Sequence, residues 1–230
     1  IYTASKEIES LGGKALPIVC DIRNEEAVDN AISSCVKQFG GVDICINNAS
    51  AVSPTPTTLT PMKRYDLMNE VNARGTFMLS QKCHPHLKKA ENPHIVNIAP
   101  PLDMDKRWFR NHTAYTMAKY GMSMCTLGMA EEFRKDGIAV NSLWPMTSID
   151  TAAVRNILGG DSMAKMSRLP TIMADAMYEL VTKPANEITG QFLIDEFVLA
   201  ESGETNFNKY NQPGHNGPLA ADFFIPSEWV

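Results

Sequence analysis

The chain of 230 residues is 44% hydrophobic and 20% charged, a composition typical of one soluble globular domain. Its net charge is −5, from 26 acidic and 21 basic side chains. This charge argues against a nucleic-acid or anionic-membrane partner, because such partners need clustered positive charge. No apolar run reaches the roughly 18 residues that a membrane span needs, so no transmembrane helix is predicted.

The cysteines indicate a reducing environment. There are five, an odd number without a CxxC pair, and they stand among apolar residues as buried free thiols do. We therefore expect an intracellular protein, and the sequence leaves open whether its compartment is mitochondrial, peroxisomal or cytoplasmic.

The first elements alternate between short apolar runs and a helical period. Residues 15–20 (ALPIVC) and 43–47 (DICIN) are short enough for buried parallel strands. Residues 24–39 between them repeat apolar side chains with a helical period. Asn24 is a candidate N-cap for this helix, and Gly40 with Gly41 ends it.

The alternation continues to residue 194. We predict helices over residues 62–89, 114–134, 151–158 and Thr171–Thr182, and strands over 94–99, 138–143 and Phe192–Ile194. This order predicts a single α/β domain over residues 1–199, with a Rossmann-like, doubly wound parallel sheet. Residues 200–230 are polar and contain Gly and Pro. We expect them to form a tail that wraps this domain or a neighbouring subunit.

The residues that follow each strand are the first candidates for a functional site. In an open sheet of this kind, ligands lie beyond the carboxyl ends of the strands. The candidates are Asp21, residues 47–50 (NNAS), residues 99–101 (APP) and residues 144–147 (WPMT).

Tyr115 and Lys119 stand four residues apart on a predicted helix, hence on one face. A phenol has an ordinary pKa of about 10, and a nearby ammonium stabilises the phenolate and lowers that pKa. The pair could then protonate an alkoxide or take a proton from an alcohol. Taken alone the spacing carries little weight, because it occurs by chance on many helices.

Asn72 lies in the middle of the predicted helix 62–89, where Asn is an indifferent helix former. Its amide either faces solvent or requires buried partners. Gly75, one turn later, would let this helix approach another part of the chain closely.

Together these motifs resemble the short-chain dehydrogenase/reductase family over residues 12 to about 196. The resemblance implies a Rossmann fold, an NAD(P) cofactor with NADP favoured over NAD, and hydride transfer between nicotinamide and a carbonyl or alcohol carbon. Tyr115 matches the family's catalytic acid/base, and Lys119 the lysine that also binds the nicotinamide ribose. Asn72 matches the asparagine that holds a relay water.

Further matches fall on cofactor-binding positions. Asp21 with Ile22 matches the pair at the adenine end, and residues 47–50 match the family's NNAG strand end, with Ser50 replacing Gly. Residues 144–151 match the segment beside the nicotinamide carboxamide, with Met146 where Gly is usual. The implied cofactor-binding residues are Asp21, Ile22, Asn48, Ala49, Tyr115, Lys119, Pro145 and Ile149.

Within the family, the chain is similar to a hydroxysteroid dehydrogenase-like group. The shared motifs are IAPPL at 98–102, AYTMAKYGMS at 114–123, LWP at 143–145 and FLIDE at 192–196. This resemblance and the apolar residues expected around the site predict a small, lipid-like carbonyl or alcohol substrate.

Two departures from the family pattern are visible. The glycine-rich TGxxxGxG loop that binds pyrophosphate does not precede Asp21, so the resemblance implies that a first strand and this loop lie upstream, in a unit of about 30 residues. Pro100 stands where the family has a serine that donates to the substrate oxygen, and Pro has no donor. The candidates to replace this serine are Asn97, His112 and Thr113.

Other side chains have weaker assignments. His84 and His86 have no Asp, Glu or Cys at ligand spacing, so no metal site is expected. Trp108 and Phe109 either border the substrate cleft or pack within their loop. Residues 223–224 (FF) are expected to serve in packing.

Two kinds of function remain open. The first is an NAD(P)-dependent oxidoreductase with Tyr115 as acid/base. The second is a catalytically weakened family member that serves as a binding or assembly subunit, which Pro100 motivates. The resemblance also implies a homo-oligomer, because family members often associate through the two long helices, predicted here over residues 62–89 and 114–134.

Overall fold

The computed structural model describes residues 1–215 and 217–229. Its centre is a four-stranded parallel sheet in the order β1 (Ile44–Asn47), β2 (His94–Ile98), β3 (Ala139–Trp144) and β4 (Phe192–Ile194). Asn47 pairs with Asn97, Asn97 with Ser142, and Ser142 with Phe192. The carboxyl ends of the strands therefore line one edge of the sheet.

Helices connect the strands and cover both faces of the sheet. The α-helices are α1 (Tyr2–Ser10), α2 (Glu25–Phe39), α3 (Met62–Met68), α4 (Gly75–Leu87), α5 (Thr113–Phe133), α6 (Gly160–Lys165), α7 (Thr171–Thr182) and α8 (Asp195–Glu201). Two π-helical segments are Asn69–Arg74 and Val154–Leu158. Short 3₁₀ turns are Thr57–Leu59, Lys106–Trp108, Arg134–Asp136, Phe207–Tyr210 and Ser227–Trp229.

The core has one apolar layer on each face of the sheet. Ile95 and Val96 are successive residues of β2, so their side chains point to opposite faces. Ile95 packs with side chains of α2, α4 and α5, whereas Val96 packs with side chains of α7 and α8. The predicted doubly wound α/β fold is confirmed.

The predicted strand over residues 15–20 is wrong. These residues have no regular secondary structure, and Val19 is 82% exposed. A strand requires a hydrogen-bonded neighbour, and β1 pairs only with β2 within the described residues. One cysteine also differs from expectation: Cys20 is exposed, whereas Cys45 and Cys83 are buried.

The helix predicted over residues 24–39 is confirmed, and its ends have the expected causes. The Asn24 side chain accepts a hydrogen bond from the Ala27 amide at 3.0 Å, as an N-cap does. At the other end Gly40 has φ +91°, a left-handed conformation that favours glycine.

The helix predicted over residues 62–89 is continuous but changes its winding at Asn69–Arg74, where it is π-helical. At the end of that turn a Cβ on Gly75 would lie 2.9 Å from Cγ1 of Ile22. The glycine therefore permits the close approach that the sequence predicted, and the segment it approaches is the one that carries Asp21 and Ile22.

The C-terminal segment (residues 220–225) packs against the domain, whereas residues 200 and 201, predicted to begin the tail, belong to α8. The Ser148 amide donates to the Ala220 carbonyl at 2.8 Å, and the Asp222 amide donates to the Met146 carbonyl at 3.1 Å. Trp144 Nε1 donates to the Phe223 carbonyl at 2.7 Å. These bonds join the segment to the last residue of β3 and to the loop that follows it.

None of the described helices is both long enough and apolar enough to cross a membrane.

Candidate active site

Tyr115 and Lys119 lie in the first two turns of α5, and both are almost fully buried. Lys119 Nζ donates to the Ile98 carbonyl at 2.9 Å and lies 3.6 Å from Met122 Sδ. The ammonium also lies 5.0 Å from the centre of the Trp144 ring. The pair is thus placed beside the carboxyl ends of β2 and β3, where the strand pattern predicts the site.

Burial controls the protonation of this pair. Burial lowers the pKa of Lys119 to about 8, against a smaller upward effect of Asp222. Burial also raises the pKa of Tyr115 well above its ordinary value, and Asp222 adds to that rise. The pKa of Tyr115 is thus raised by burial and by Asp222, whereas the Tyr115–Lys119 spacing led us to expect a lowered one.

Asn72 is fully buried in the π-helical turn. Its side chain accepts from the Ala51 amide at 2.8 Å and donates to the Ala51 carbonyl at 3.0 Å. The alternative of a solvent-facing Asn72 is thereby excluded. The side chain fixes the segment that follows β1, and Ala51 takes one of its two Nδ2 hydrogens, which leaves the second for a relay water.

One predicted adenine-end residue, Ile22, lies beside the predicted NNAG strand end that follows β1. Ile22, Asn48 and Ala49 line one small cavity of about 30 Å³ together with side chains of the α3–α4 helix. Asp21 precedes Ile22 and is exposed. Arg23 donates hydrogen bonds to its carboxylate, from Nε at 3.0 Å and from Nη2 at 2.7 Å. These hydrogen bonds lower the pKa of Asp21 to about 2, so it is an anion at neutral pH.

The loop after β3 separates two predicted cofactor-binding residues. Pro145 directly follows β3 and is buried. Ile149 instead packs in the apolar layer beside α7 and α8, so its side chain is not grouped with Tyr115. Between them the Thr147 hydroxyl is buried and has no hydrogen-bond partner within residues 1–215 and 217–229.

Asp195 holds this loop and is a site residue that the sequence analysis missed. Its Oδ1 accepts from the Met146 amide at 2.8 Å and from the Glu196 amide at 2.7 Å. Its Oδ2 is buried without a partner in the described part of the chain. Burial raises the pKa of Asp195 to about 7.

Aromatic residues of the tail form a wall beside Tyr115. The Tyr115 ring lies 6.2 Å from the ring of Phe223 and 6.2 Å from that of Phe224. Phe224 is fully buried among Trp108, Trp144 and other aromatic rings. Residues 223–224 pack as expected, and the side chain that they cover is Tyr115. This location was not visible in the sequence, because Tyr115 and the tail are more than 100 residues apart.

Pro100 supplies no hydrogen-bond donor, and two of the residues considered as replacements for the family's serine, Asn97 and Thr113, are already hydrogen-bonded within the protein. The Pro100 carbonyl accepts from Ser123 Oγ at 2.7 Å. Asn97 is fully buried, with its side chain bonded to Asn47 and Thr126. Thr113 donates its hydroxyl hydrogen to the Phe109 carbonyl at 2.9 Å. Trp108 and Phe109 pack against the cluster that contains Tyr115.

The residues present fit the ribose end of a nicotinamide dinucleotide. An ammonium has three hydrogens, and the Ile98 carbonyl and Met122 Sδ take two of those of Lys119, which leaves one for a ribose hydroxyl. The Thr147 hydroxyl, two residues after Pro145, has no hydrogen-bond partner in the described residues and offers a further polar contact for the cofactor. Within the described residues, no three His, Cys, Asp or Glu side chains are grouped as metal ligands would be.

Comparison with known proteins places the chain in a family. A family model described as enoyl-(acyl carrier protein) reductase matches residues 2–194. A short-chain dehydrogenase structure from Mycobacterium thermoresistibile is 50% identical, with a TM-score of 0.90, over 98% of this chain and 80% of that one. A 7α-hydroxysteroid dehydrogenase solved with NADH and 7-oxo-glycochenodeoxycholic acid is 27% identical, with a TM-score of 0.73, over 84% of this chain and 77% of that one.

The chain belongs to the short-chain dehydrogenase/reductase family of oxidoreductases, as its motifs predicted. Among curated relatives, hydroxysteroid dehydrogenase-like protein 2 of Danio rerio is 53% identical over 229 residues, which are 99% of this chain. Those residues are 54% of the relative, so the chain spans about half the length of that protein. Relatives in this family bind NAD(P).

Proposed function

We propose that this chain forms the catalytic domain of an NAD(P)-dependent dehydrogenase/reductase that acts on an apolar, lipid-like alcohol or carbonyl. The observation that carries the proposal is the buried pair of Tyr115 and Lys119 at the carboxyl ends of β2 and β3. An aromatic wall formed by Trp108, Phe223 and Phe224 surrounds the phenol and favours an apolar substrate.

Tyr115 acts in this proposal as the proton donor to a carbonyl oxygen. Its raised pKa keeps it a phenol at neutral pH, so it starts the reduction in the protonated form. The bound cofactor supplies the hydride. Lys119 orients the nicotinamide ribose with its remaining N–H, and its positive charge stabilises the phenolate that the proton transfer leaves behind.

Cofactor choice is tested by titrating the full-length protein that contains this chain with NADPH and with NADH, following nicotinamide fluorescence. Saturable binding is expected, and tighter binding of NADPH would agree with the sequence prediction. Absence of binding by either cofactor would contradict the proposal.

Catalysis is tested with Tyr115→Phe, using NADPH and 2-decanone as an apolar carbonyl probe. The variant keeps the ring but loses the proton, so we expect cofactor binding to persist and turnover to fall by about 10²–10⁴-fold. Tyr178→Phe on the exposed face of α7 is the matched control and should leave turnover unchanged. Full activity of Tyr115→Phe would overturn the assignment of the acid.

A second candidate function is a binding or assembly subunit that performs no fast chemistry. Pro100 favours it, because removal of one oxyanion donor typically costs about 10²–10³ in rate. This candidate predicts equal, negligible turnover of the wild-type protein and Tyr115→Phe with every carbonyl probe, even where a cofactor binds.

We also propose a homo-oligomer. Phe77 of α4 and Met124 and Leu127 of α5 are 52%, 59% and 48% exposed, an apolar surface on the two long helices. Native mass measurement of the full-length protein should show more than one copy, and Met124→Glu with Leu127→Glu should shift the mass toward one copy. A monomer at all concentrations would contradict the proposal.

A further inference from the structure

Tyr115 and Lys119 are enclosed beside the C-terminal segment, with only 6% and 2% of their surfaces exposed. In the proposed function both residues touch bound molecules, Tyr115 the substrate oxygen and Lys119 the nicotinamide ribose. A proton donor has to come within about 3 Å of the oxygen that it protonates. The substrate therefore needs direct access to the phenol, and part of the enclosure has to move before the substrate binds.

Phe223 and Phe224 both cover the Tyr115 ring, at a centroid distance of 6.2 Å each, but the two rings are held differently. Phe224 is fully buried and also packs against Trp144. Phe223 is partly exposed. Because the surface of a ring that already contacts water adds nothing to the cost of moving it, the Phe223 ring leaves the phenol more easily than the Phe224 ring.

Residues 220–223, here called the strap, are joined to the rest of the described chain by four hydrogen bonds that use backbone atoms of the strap. The partners of these atoms are the Met166 carbonyl, the Ser148 amide, the Met146 carbonyl and Trp144 Nε1. Water replaces each partner when the strap lifts, so the net cost of losing these bonds is small. Ala221, in the middle of the strap, is already exposed.

We propose that the strap opens to admit the substrate, and that an apolar part of the substrate then takes the place of the Phe223 ring beside Tyr115. Phe224 stays buried and is the anchor from which the strap moves. The inference rests on the oxidoreductase function proposed above. It narrows the substrate class to molecules that carry an apolar group about as large as a phenyl ring next to the reacting oxygen. The closed strap competes with such a group, so the fraction of open molecules limits the apparent affinity for the substrate.

Hydrogen exchange of the full-length protein tests whether the strap opens by itself. The amides of Ser148, Ala220 and Asp222 make the bonds that close it, and mass spectrometry of peptides follows these amides. We expect them to exchange at least about 10²-fold faster than the amides of β3, because local opening requires less free energy than global unfolding. Equal rates would mean that the strap leaves only when the protein unfolds, and that result overturns the proposal.

Trp144→Phe tests the one side-chain bond that holds the strap. The variant keeps an aromatic ring near Lys119 but removes the Nε1 donor to the Phe223 carbonyl. We expect exchange of the strap amides to accelerate by about 2–10-fold. Trp229→Phe, at a ring that is 39% exposed, is the matched control and should leave this exchange unchanged. No acceleration in Trp144→Phe contradicts the proposal.

A disulfide across the strap tests whether turnover requires opening. Thr147 and Ala221 form an antiparallel bridge, and backbone hydrogen bonds of the strap flank it on both sides. In such a non-hydrogen-bonded pair the Cα atoms lie about 4.5 Å apart, within the range that a disulfide spans. Thr147→Cys combined with Ala221→Cys and oxidised with diamide should therefore hold the strap closed.

Oxidation of this double variant should lower turnover of 2-decanone with NADPH by at least about 10²-fold, and reduction of the disulfide should restore it. The two redox states belong to one protein, so loss of the Thr147 hydroxyl affects both equally. Ala221→Cys alone, taken through the same oxidation and reduction, controls for native thiols such as the exposed Cys20. Full turnover by the oxidised double variant, with the disulfide verified by mass, overturns the proposal.

Failure of this inference is distinguishable from failure of the proposed function. Loss of turnover in Tyr115→Phe, together with full turnover in the oxidised double variant, overturns the inference and keeps the function. If the wild-type protein turns over no 2-decanone, the proposed substrate class fails instead. Hydrogen exchange needs neither substrate nor cofactor, so the comparison of the strap with β3 then decides the inference.

Discussion

At the scale of single residues, the polar side chains beneath the site form a connected buried network. Asn47 Nδ2 donates to Ser80 Oγ at 2.9 Å and to Asn97 Oδ1 at 2.7 Å. Asn97 Nδ2 then donates to Thr126 Oγ1 at 2.8 Å, and Thr126 bonds to Ser142 Oγ at 2.7 Å. Buried polar groups are tolerated when each has a partner, and this chain of bonds joins β1, β2 and β3 directly below their carboxyl ends.

Asp195 predicts how stability depends on pH. Its pKa rises from 3.8 to about 7 in the folded protein, because burial disfavours the carboxylate. Between about pH 4 and pH 7 the folded state therefore binds the proton more tightly than the unfolded chain, and the free energy of unfolding falls as the pH rises through that window. Asp222 has a pKa raised to about 7 by burial and adds to the same slope.

Asp195→Asn should flatten this slope, because asparagine keeps the oxygen that accepts from the Met146 and Glu196 amides but does not ionise. Urea unfolding at pH 5, 6, 7 and 8 measures the effect. Asp66→Asn, at an exposed aspartate of α3, is the matched control. A slope that stays as steep in Asp195→Asn as in the wild type would count against a buried, raised-pKa carboxyl.

The residues that the sequence could identify are those with a short-range pattern. Tyr115 and Lys119 share a face of α5, and both are buried. Asp195 and Asp222 escaped notice because their importance arises from contacts with the loop after β3, which lies far away in the sequence. The direction of the Tyr115 pKa could not be inferred either, since burial in the folded protein and the charge of Asp222 raise it.

At the scale of elements, two glycines of α5 differ in what surrounds them. A Cβ on Gly121 would lie 2.6 Å from Ala73 Cβ in the π-helical turn, whereas a Cβ on Gly128 would meet no atom within 4 Å. Gly121 thus sets the closest approach of α5 to the turn that carries Asn72. Gly128 has no such role and only lowers helix stability.

Gly121→Ala should therefore lower the free energy of unfolding by about 1–3 kcal/mol through overpacking. Gly128→Ala should raise it by about 0.5–1 kcal/mol, because alanine is the better helix former. Both values come from urea unfolding. Adding Ala73→Gly to Gly121→Ala should recover much of the loss, and no recovery in the double variant would show that the clash lies elsewhere.

Element types followed from local periodicity, and the errors have physical causes. The helices over residues 24–39 and Thr171–Thr182 and all four strands of the sheet appear where the pattern predicts them. Residues 15–20 have a strand-like composition, but a ladder partner decides whether a strand forms. The π-helical winding at Asn69–Arg74 was not predictable, because Asn72 bonds across space to Ala51.

At the scale of the whole molecule, one side chain of the tail joins most of the site. Phe224 is fully buried, lies within 6.4 Å of the rings of His112, Tyr115 and Tyr120, and contacts Trp144. Its φ of +68° is a left-handed conformation that is unfavourable for a bulky residue. Aromatic packing on all sides stabilises that conformation.

Phe224→Ala should reduce the free energy of unfolding by about 3–5 kcal/mol, because it leaves a large cavity between Tyr115 and Trp144. The matched control is Phe197→Ala on α8, where the ring is 46% exposed and contacts Trp229. Urea unfolding followed by tryptophan fluorescence compares the two. Equal small losses would mean that the tail contributes little to the site's stability.

The fastening of residues 220–225 beside Tyr115 also has a consequence for biosynthesis. At the usual elongation rate of about 5–20 residues per second, Phe224 leaves the ribosome several seconds after Tyr115. During that interval the tryptophan and tyrosine rings that Phe224 covers in the folded protein are exposed to solvent or to a chaperone. The aromatic cluster around Tyr115 is therefore incomplete until residue 224 has been synthesised, and a chain that stops before it would display these rings.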